Sequence, residues 1–364
     1  MNFKLLNLFI IIVLKYSSTP INAQSFRGLY VERNNNIWVS GNNGIVLKSS
    51  KKPNQWDTIS PSSHYKTKDF RDLHVFNDST VIIMSAGDSG VILRTENSGK
   101  DWKEVLIDNR KGIFFDVMEI DNATGIGIIL GDALKYSNKS GDSISYLVGY
   151  FTLDYGKSWT AFNNDHWNKA NNQLNTLFAA SGSSCVLMNT KSIAKKNKTI
   201  IEFCFAGGGQ IGTEIRYVTL ELNQKSITKT KFTTAIIPMP EGNGWGIYSL
   251  NSINKKSVFA VGGNWKEPFS KHNSGYRIEI NPKKHKFIAV KEQINFKGYY
   301  SGCTNKDSFL VAAGTQGLSV WDGKTIKFVS IPNLNVCKFS DDHLWYAGSK
   351  GVVEKIKIAD LSRL

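Results

Sequence analysis

The sequence predicts an all-β protein assembled from repeats, on three observations. Aromatic residues are abundant (20 Phe, 13 Tyr and 9 Trp), turn signals recur about every ten residues, and one strand-like opening returns along the chain. With 41% hydrophobic and 21% charged residues the chain can bury a core, which excludes a disordered or collagen-like polymer. The opening is Phe26-Arg27-Gly28-Leu29. It returns after 44 residues as Phe70-Arg71-Asp72-Leu73, after another 44 as Phe114-Phe115-Asp116-Val117, and much later as Phe296-Lys297-Gly298-Tyr299. Weaker copies start near Leu174, Trp245 and Val336, which makes seven units of about 49 residues.

Within a unit the opening leads to an apolar strand that ends in glycine, followed by a second glycine and another β-rich strand. Ile37-Trp38-Val39-Ser40-Gly41 before Gly44 has this form, as do Leu310–Gly314 before Gly317 and Leu344–Gly348 before Gly351. Glycine there permits the positive φ of tight hairpins. The third strand enters a turn of the form Ser/Thr-x-Asp-x-Gly-x-x-Trp. Thr152, Asp154, Gly156 and Trp159 match at every position; Thr95, Asn97, Gly99 and Trp102 match with Asn for Asp; Ser49 to Trp56 keeps only the two ends. The Asp or Asn side chain accepts bonds from the turn's own backbone, glycine takes the conformation that other residues resist, and Trp packs between sheets, so the motif is one of folding and carries no chemistry.

This combination resembles the Asp-box β-propellers (bacterial neuraminidase repeats), and among them the branch of photosystem II assembly and stability factors and their exported bacterial relatives. The resemblance spans residues 25–364 and implies a seven-bladed β-propeller of four-stranded antiparallel blades in a single monomeric domain, 24–364. The last unit has room for three strands after Asn335, so the N-terminal segment is expected to complete the closure. The polar stretches Asn163 to Asn172 and Thr190 to Lys198 lack alternation and are expected to be loops.

Residues 1–23 read as a signal peptide: Lys4 precedes an apolar run from Leu5 to Leu14, and a polar stretch leads to a small residue, Ala23. The run is about half the length of a membrane-spanning helix. An uncleaved anchor is the alternative. A lipid anchor at the cut is excluded because the first cysteine is Cys185. Secretion or a periplasmic location is therefore expected. Cleavage removes Lys4 and Lys15 and lowers the formal net charge from +15 to +13. The excess is mostly lysine scattered among Asn and Ile, which reads as solvated surface, and export argues against a nucleic-acid partner.

Four cysteines are too few to be the main framework of an exported chain of this length, yet their number is even. Cys303 and Cys337 fall at like places in successive units and are expected to form a disulfide between adjacent blades, the alternative being four buried thiols. Cys185 and Cys204 flank one hairpin.

A search for chemistry finds little. The glycine clusters Gly207-Gly208-Gly209 and Gly41-x-x-Gly44 sit between strands with no helix to receive a pyrophosphate, the six histidines have no ligand at metal spacing, and Gly-x-Ser-x-Gly is missing. No cofactor and no metal are expected. Sialidases use the same scaffold, and Arg27, Arg71 and Arg277 with Asp72 and Asp116 are the parts that a glycoside hydrolase or lyase site would draw on. The chain has only eight arginines, however, and nothing fixes a nucleophilic tyrosine. The first reading is a non-catalytic binding or assembly propeller, with a carbohydrate-active enzyme as the alternative. Opening strands line the channel of a propeller, which groups Arg27, Arg71, Phe115 and Lys297 in one column and Gly28, Asp72, Asp116 and Gly298 in the next. Arg27, Arg71 and Lys297 are expected to bind an anionic ligand or the acidic segment of a protein partner in the envelope, with Asp72 and Asp116 beside them, and to have little part in packing. The alternative pairs Arg27 with Asp72 and Arg71 with Asp116 as ion pairs that only close the ring.

Overall fold

The computed structural model describes residues 24–32, 36–50, 55–137, 143–162, 176–193, 195, 197–281, 286–361 and 363. Seven antiparallel sheets follow one another along the chain, each built from strands that are neighbours in sequence. Blade one holds β1–β4 (26–58), blade two β5–β8 (69–108), blade three β9–β12 (115–161), blade four β13–β16 (185–237), blade five β17–β20 (245–297), blade six β21–β24 (300–329) and blade seven β25–β27 (334–357). Six sheets have four strands and the seventh has three. A four-residue helix, α1 (Ile358–Leu361), follows the last strand.

Sheets of this kind are apolar on both faces and must be covered on both, which a closed ring achieves. Among the described residues there are seven apolar clusters, one between each pair of neighbouring blades. Phe70, Leu73, Val81 and Ile83 meet Trp38 and Val46 between blades one and two. Phe26, Ile37 and Val39 meet Val336, Trp345 and Ala347 between blades one and seven, and this cluster closes the ring. At that seam Asn335 Nδ2 donates to the Phe26 carbonyl (2.8 Å) and Gly351 N–H to the Gln24 carbonyl (2.9 Å). The expected N-terminal contribution to closure is this backbone contact at Gln24, and no fourth strand of blade seven is present among the described residues.

The two Trp-ended turns fold alike. Thr152 Oγ1 accepts from the Gly156 amide (3.0 Å) and Asp154 Oδ1 from the Ser158 amide (3.0 Å), with Gly156 at φ +70°. Thr95 Oγ1 accepts from the Gly99 amide (3.0 Å) and Asn97 Oδ1 from the Asp101 amide (2.9 Å). Both turns reach the preceding blade. Trp102 donates to the Ile59 carbonyl of the segment after blade one (2.9 Å), and Trp159 packs in the cluster between blades two and three.

Several expectations are corrected. The sixth blade opens at β21 (Tyr300–Lys306), because Phe296 and Lys297 end β20 (Lys286–Lys297), the outermost strand of blade five. In blade four the first strand is β13 (Cys185–Ile193); Leu174, the expected start of a unit, lies outside the described residues, as does the stretch 163–172. Thr190–Ile193 are strand, because they continue the antiparallel pairing with residues 198–201 of β14 (Lys198–Gly207). Residues 1–23 also lie outside the description.

All four cysteines are free and buried. Cys303 and Cys337 both point back toward the preceding blade, so neither faces the other: Cys303 packs with Phe259, Val261 and Phe296, and Cys337 with Val311, Leu318 and Leu344. Cys185 and Cys204 lie on opposite faces of blade four. Each behaves as a small apolar residue, and burial pushes all four thiols up in pKa. Thiol titration in denaturant without reductant is predicted to count four reactive groups, and titration of the native protein to find none of them accessible.

Candidate functional site

Six of the seven innermost strands carry a bulge near their start, at which one residue has no partner on the second strand. The skipped residues are Arg27, Arg71, Asp116, Tyr248, Ser301 and Asn335. A bulge re-aims a side chain out of the sheet, and because the inner strands stand around the axis these six side chains gather at one mouth of the channel. Asp116 therefore belongs to the same ring as Arg27 and Arg71 and not to the column of Asp72. Lys297, exposed at the end of an outer strand, is not in the ring at all.

In blade four the single skipped residue becomes a long excursion. Thr176 pairs with Gly208 and Cys185 with Phe205, and between them residues 177–184 leave the sheet and cross the channel. The stretch is Leu177-Phe178-Ala179-Ala180-Ser181-Gly182-Ser183-Ser184. Arg27 Nη1 donates to the Ala180 carbonyl (2.9 Å) and Arg71 Nη1 to the Ala179 carbonyl (2.9 Å). Leu177 N–H donates to Asp132 of blade three (3.2 Å), Ser181 Oγ to the Ser301 carbonyl of blade six (2.5 Å), and Leu250 N–H of blade five to the Ser183 carbonyl (2.7 Å). Gly182 (φ +62°) lies so close to blade two that a Cβ there would overlap the Asp72 carboxyl. Small residues are required because the space is already full.

The arginines thus have a packing role that the sequence did not reveal, and neither forms the ion pair considered for it. Arg71 Nε donates to Asp69 (2.7 Å), and its guanidinium lies 5.7 Å from the Phe114 ring centroid. Among the described residues Arg27 has no carboxylate partner; burial lowers its pKa first, and the nearby Arg71 lowers it further, while Asp69 and Tyr299 oppose the shift. Aromatic rings surround the pair. Phe178 stacks on Tyr248 with centroids 4.0 Å apart, and Tyr248 meets Tyr299 edge-on at 4.8 Å. Burial pushes Tyr299 up to about 12 despite both guanidiniums. Phe178, Tyr248 and Asp69 carried no motif, and the sequence presents Phe114 and Tyr299 only as members of repeat openings. The only available signal for the crossing segment was its run of small residues where a strand opening was due.

The two carboxylates read from the sequence are deeply buried. Asp72 accepts from the Met118 amide (2.8 Å); burial raises its pKa well above the ordinary range, Glu119 adds to the rise, and Lys338 opposes it. Asp116 is 1% exposed, and among the described residues only the backbone amides of Asp132 and Ala179 approach its carboxyl, without well-formed hydrogen bonds. Burial holds its pKa well above the usual range and Asp132 raises it further, against Arg71; Asp132 itself is raised to about 6 by burial. Arg277, the third arginine of the glycosidase alternative, is on β19 (Asn273–Asn281), the third strand of blade five, so the three guanidiniums do not converge.

No known family model and no curated protein matches the chain. Solved structures do. The chain is similar to YCF48 bound to D1 peptide, at 12% identity and TM-score 0.54 over 94% of this chain and 98% of that one. It is similar to YCF48 from Cyanidioschyzon merolae at 14% identity and TM-score 0.53, over 93% and 97%. It is also similar to Sqt1 of Saccharomyces cerevisiae at 9% identity and TM-score 0.55, over 92% and 83%. At these identities the likeness is one of fold, and with the seven sheets it defines the class as a seven-bladed β-propeller.

A group whose folded pKa is raised favours its protonated form, so Asp116 contributes stability fully below the ordinary carboxylate range and loses it as pH rises. Asp116→Asn is therefore predicted to match the native thermal midpoint at pH 4 and to exceed it by about 2 °C or more at pH 8. Midpoints read by circular dichroism across that range check it.

Proposed function

We propose that this protein is an exported, non-catalytic propeller that holds a protein or peptide partner in the envelope at the arginine-ringed mouth of its channel. The observation that carries the reading is Arg27, a partly buried guanidinium at the axis that has no carboxylate partner among the described residues and lies near Tyr299, whose ring meets the stacked pair of Tyr248 and Phe178. A cation in a low-dielectric mouth attracts an anionic group strongly, and the aromatic rings offer apolar contact beside it. Asp69 offsets Arg71, and burial holds Asp116 toward its protonated form, so an acidic side chain or a chain terminus is the complementary ligand. That YCF48 has been solved bound to D1 peptide supports a peptide partner for a ring of this kind.

The Asp-box assignment rests on the two Trp-ended turns. Their distance from the axis fits a structural part, since they sit between the third and fourth strands on the outer side of each blade. The glycosidase alternative asks for arginines and carboxylates that converge on one sugar ring. Asp72 lies beneath the crossing segment and Arg277 is far out on its blade, so the scaffold reading is preferred.

The test is crosslinking and capture from the native envelope with the intact protein and with Arg27→Gln, which removes the charge and leaves a polar side chain in its place. The predicted outcome is a captured partner whose recovery falls about tenfold in the variant, the share expected of a lost charged contact, while the thermal midpoint stays within about 2 °C. Equal recovery from both proteins would contradict the proposal. Turnover of a sialoside or aryl-glycoside panel, lost on Asp116→Ala, would replace it with the enzymatic reading.

A further inference from the structure

Antiparallel strands alternate in direction, so the inner-strand starts, the hairpins between second and third strands and the connections between blades all share one end of the ring. Four of the large apolar residues exposed at the surface lie at that end, on blades four and five. Ile211 (44% exposed) is in the loop between β14 and β15 (Thr213–Asn223), and Ile236 (71%) is next to last in β16 (Ser226–Ile237). Trp265 (55%) and Phe269 (75%) are in the loop between β18 (Ser257–Asn264) and β19. The loops adjoin: Gly242 N–H donates to the Gly209 carbonyl (3.1 Å), and Gly244 lies against Asn264 and Trp265.

The exposure of Trp265 and Phe269 is built in. Their loop is held by Lys266 N–H on Asn264 Oδ1 (3.0 Å), by Ser270 N–H on the Glu267 carbonyl (2.9 Å), and by the Pro268 carbonyl, which accepts from Tyr299 N–H (3.2 Å) and Gln316 Nε2 (2.6 Å). The loop reads Trp265-Lys266-Glu267-Pro268-Phe269-Ser270-Lys271-His272, with aromatic residues and lysines interleaved. Lys266 Nζ sits 5.5 Å from the Trp265 ring centroid, and Lys297, exposed, is paired in register with Asn273 at the base of the loop. Three exposed lysines thus surround the aromatic tip, against Glu241 and Glu267, in a chain of net charge +15.

We propose that this sector docks on an anionic lipid surface, with Trp265 and Phe269 entering the interfacial layer and Lys266, Lys271 and Lys297 meeting the headgroups. Trp favours the boundary between headgroup and acyl chain, where its ring is apolar and its N–H is wet, and lysines near it are drawn to anionic leaflets. The aromatic residues stand on a held loop tip flanked by cations, a shape suited to entering a layer, and the charge excess selects an anionic one. The proposal is independent of the axial reading, although both use the same face.

The test is sedimentation of the full chain with vesicles of phosphatidylcholine and with vesicles of phosphatidylcholine and phosphatidylglycerol in a 7:3 ratio. A Trp265→Ser/Phe269→Ser variant controls for the apolar N-terminal segment, which it retains. The native chain is expected to bind the anionic vesicles about tenfold better than the neutral ones, and the variant to lose about tenfold on the anionic vesicles at an unchanged thermal midpoint. Equal binding of the two vesicle types overturns the proposal. So does equal binding by variant and native chain, which would assign attachment to general charge or to the N-terminal segment. Self-association of the native chain on gel filtration that the variant abolishes would assign the patch to a second copy and overturn it likewise.

Discussion

The structure depends on a segment that is not part of any sheet. Residues 177–184 cross the channel and bind blades one, two, three, five and six, by arginine side chains, a carboxylate, a serine and a backbone amide. A ring of blades that touch only their neighbours has its weakest point at the seam, where blade seven has three strands and closure relies on the cluster of Phe26 with Trp345 and on a few bonds at Asn335 and Gln24. A tie across the axis changes this. To open at the seam, blade one must also release the Ala180 carbonyl, and blade two the Ala179 carbonyl. A hydrogen bond from a charged donor contributes about 1.5–3 kcal/mol when buried, and somewhat less at the partly exposed arginines.

The same segment organises the polar chemistry. It fills the channel, removes water from Asp72 and Asp116, and so raises both carboxyls, while its carbonyls fix the two guanidiniums. The bulges supply the rest. One skipped residue per inner strand brings Tyr248, Ser301 and Asn335 to the same mouth, where Ser301 Oγ donates to the Asn335 carbonyl (2.8 Å) and Asn335 in turn to Phe26. Packing and site are thus made by one device, a local departure from strand pairing at the axis.

Much of this was legible where the backbone leaves a chemical mark. Phe26 and Phe70 locate blades one and two because in each a fully buried aromatic residue stands just before the bulge. The third copy reads one residue early, since Phe114 and Phe115 are adjacent and only Phe115 is the buried one, which moves Asp116 into the arginine ring. Phe296 misleads for a related reason: it is as buried as the true opening residue, Tyr300, but it ends the outer strand of the preceding blade. The crossing segment was not legible. Alanine, serine and glycine are chosen there for their small volume, and volume alone leaves no periodicity to read. The cysteines show the opposite error, a chemically distinctive residue used only for its size.

Native-state hydrogen exchange tests the central role of the crossing segment most directly. The Leu250 amide, which donates to the Ser183 carbonyl on blade five, reports on the segment from a strand far from the seam. If the segment ties the ring, Leu250 exchanges only through global unfolding, with the same free energy as the Val39 and Val311 amides of blade cores, and Arg27→Ala/Arg71→Ala lowers all three together. Leu250 exchanging through a cheaper local opening, with Val39 and Val311 unmoved by the double substitution, would show that the segment merely occupies the channel and that the ring is held by its blade interfaces alone.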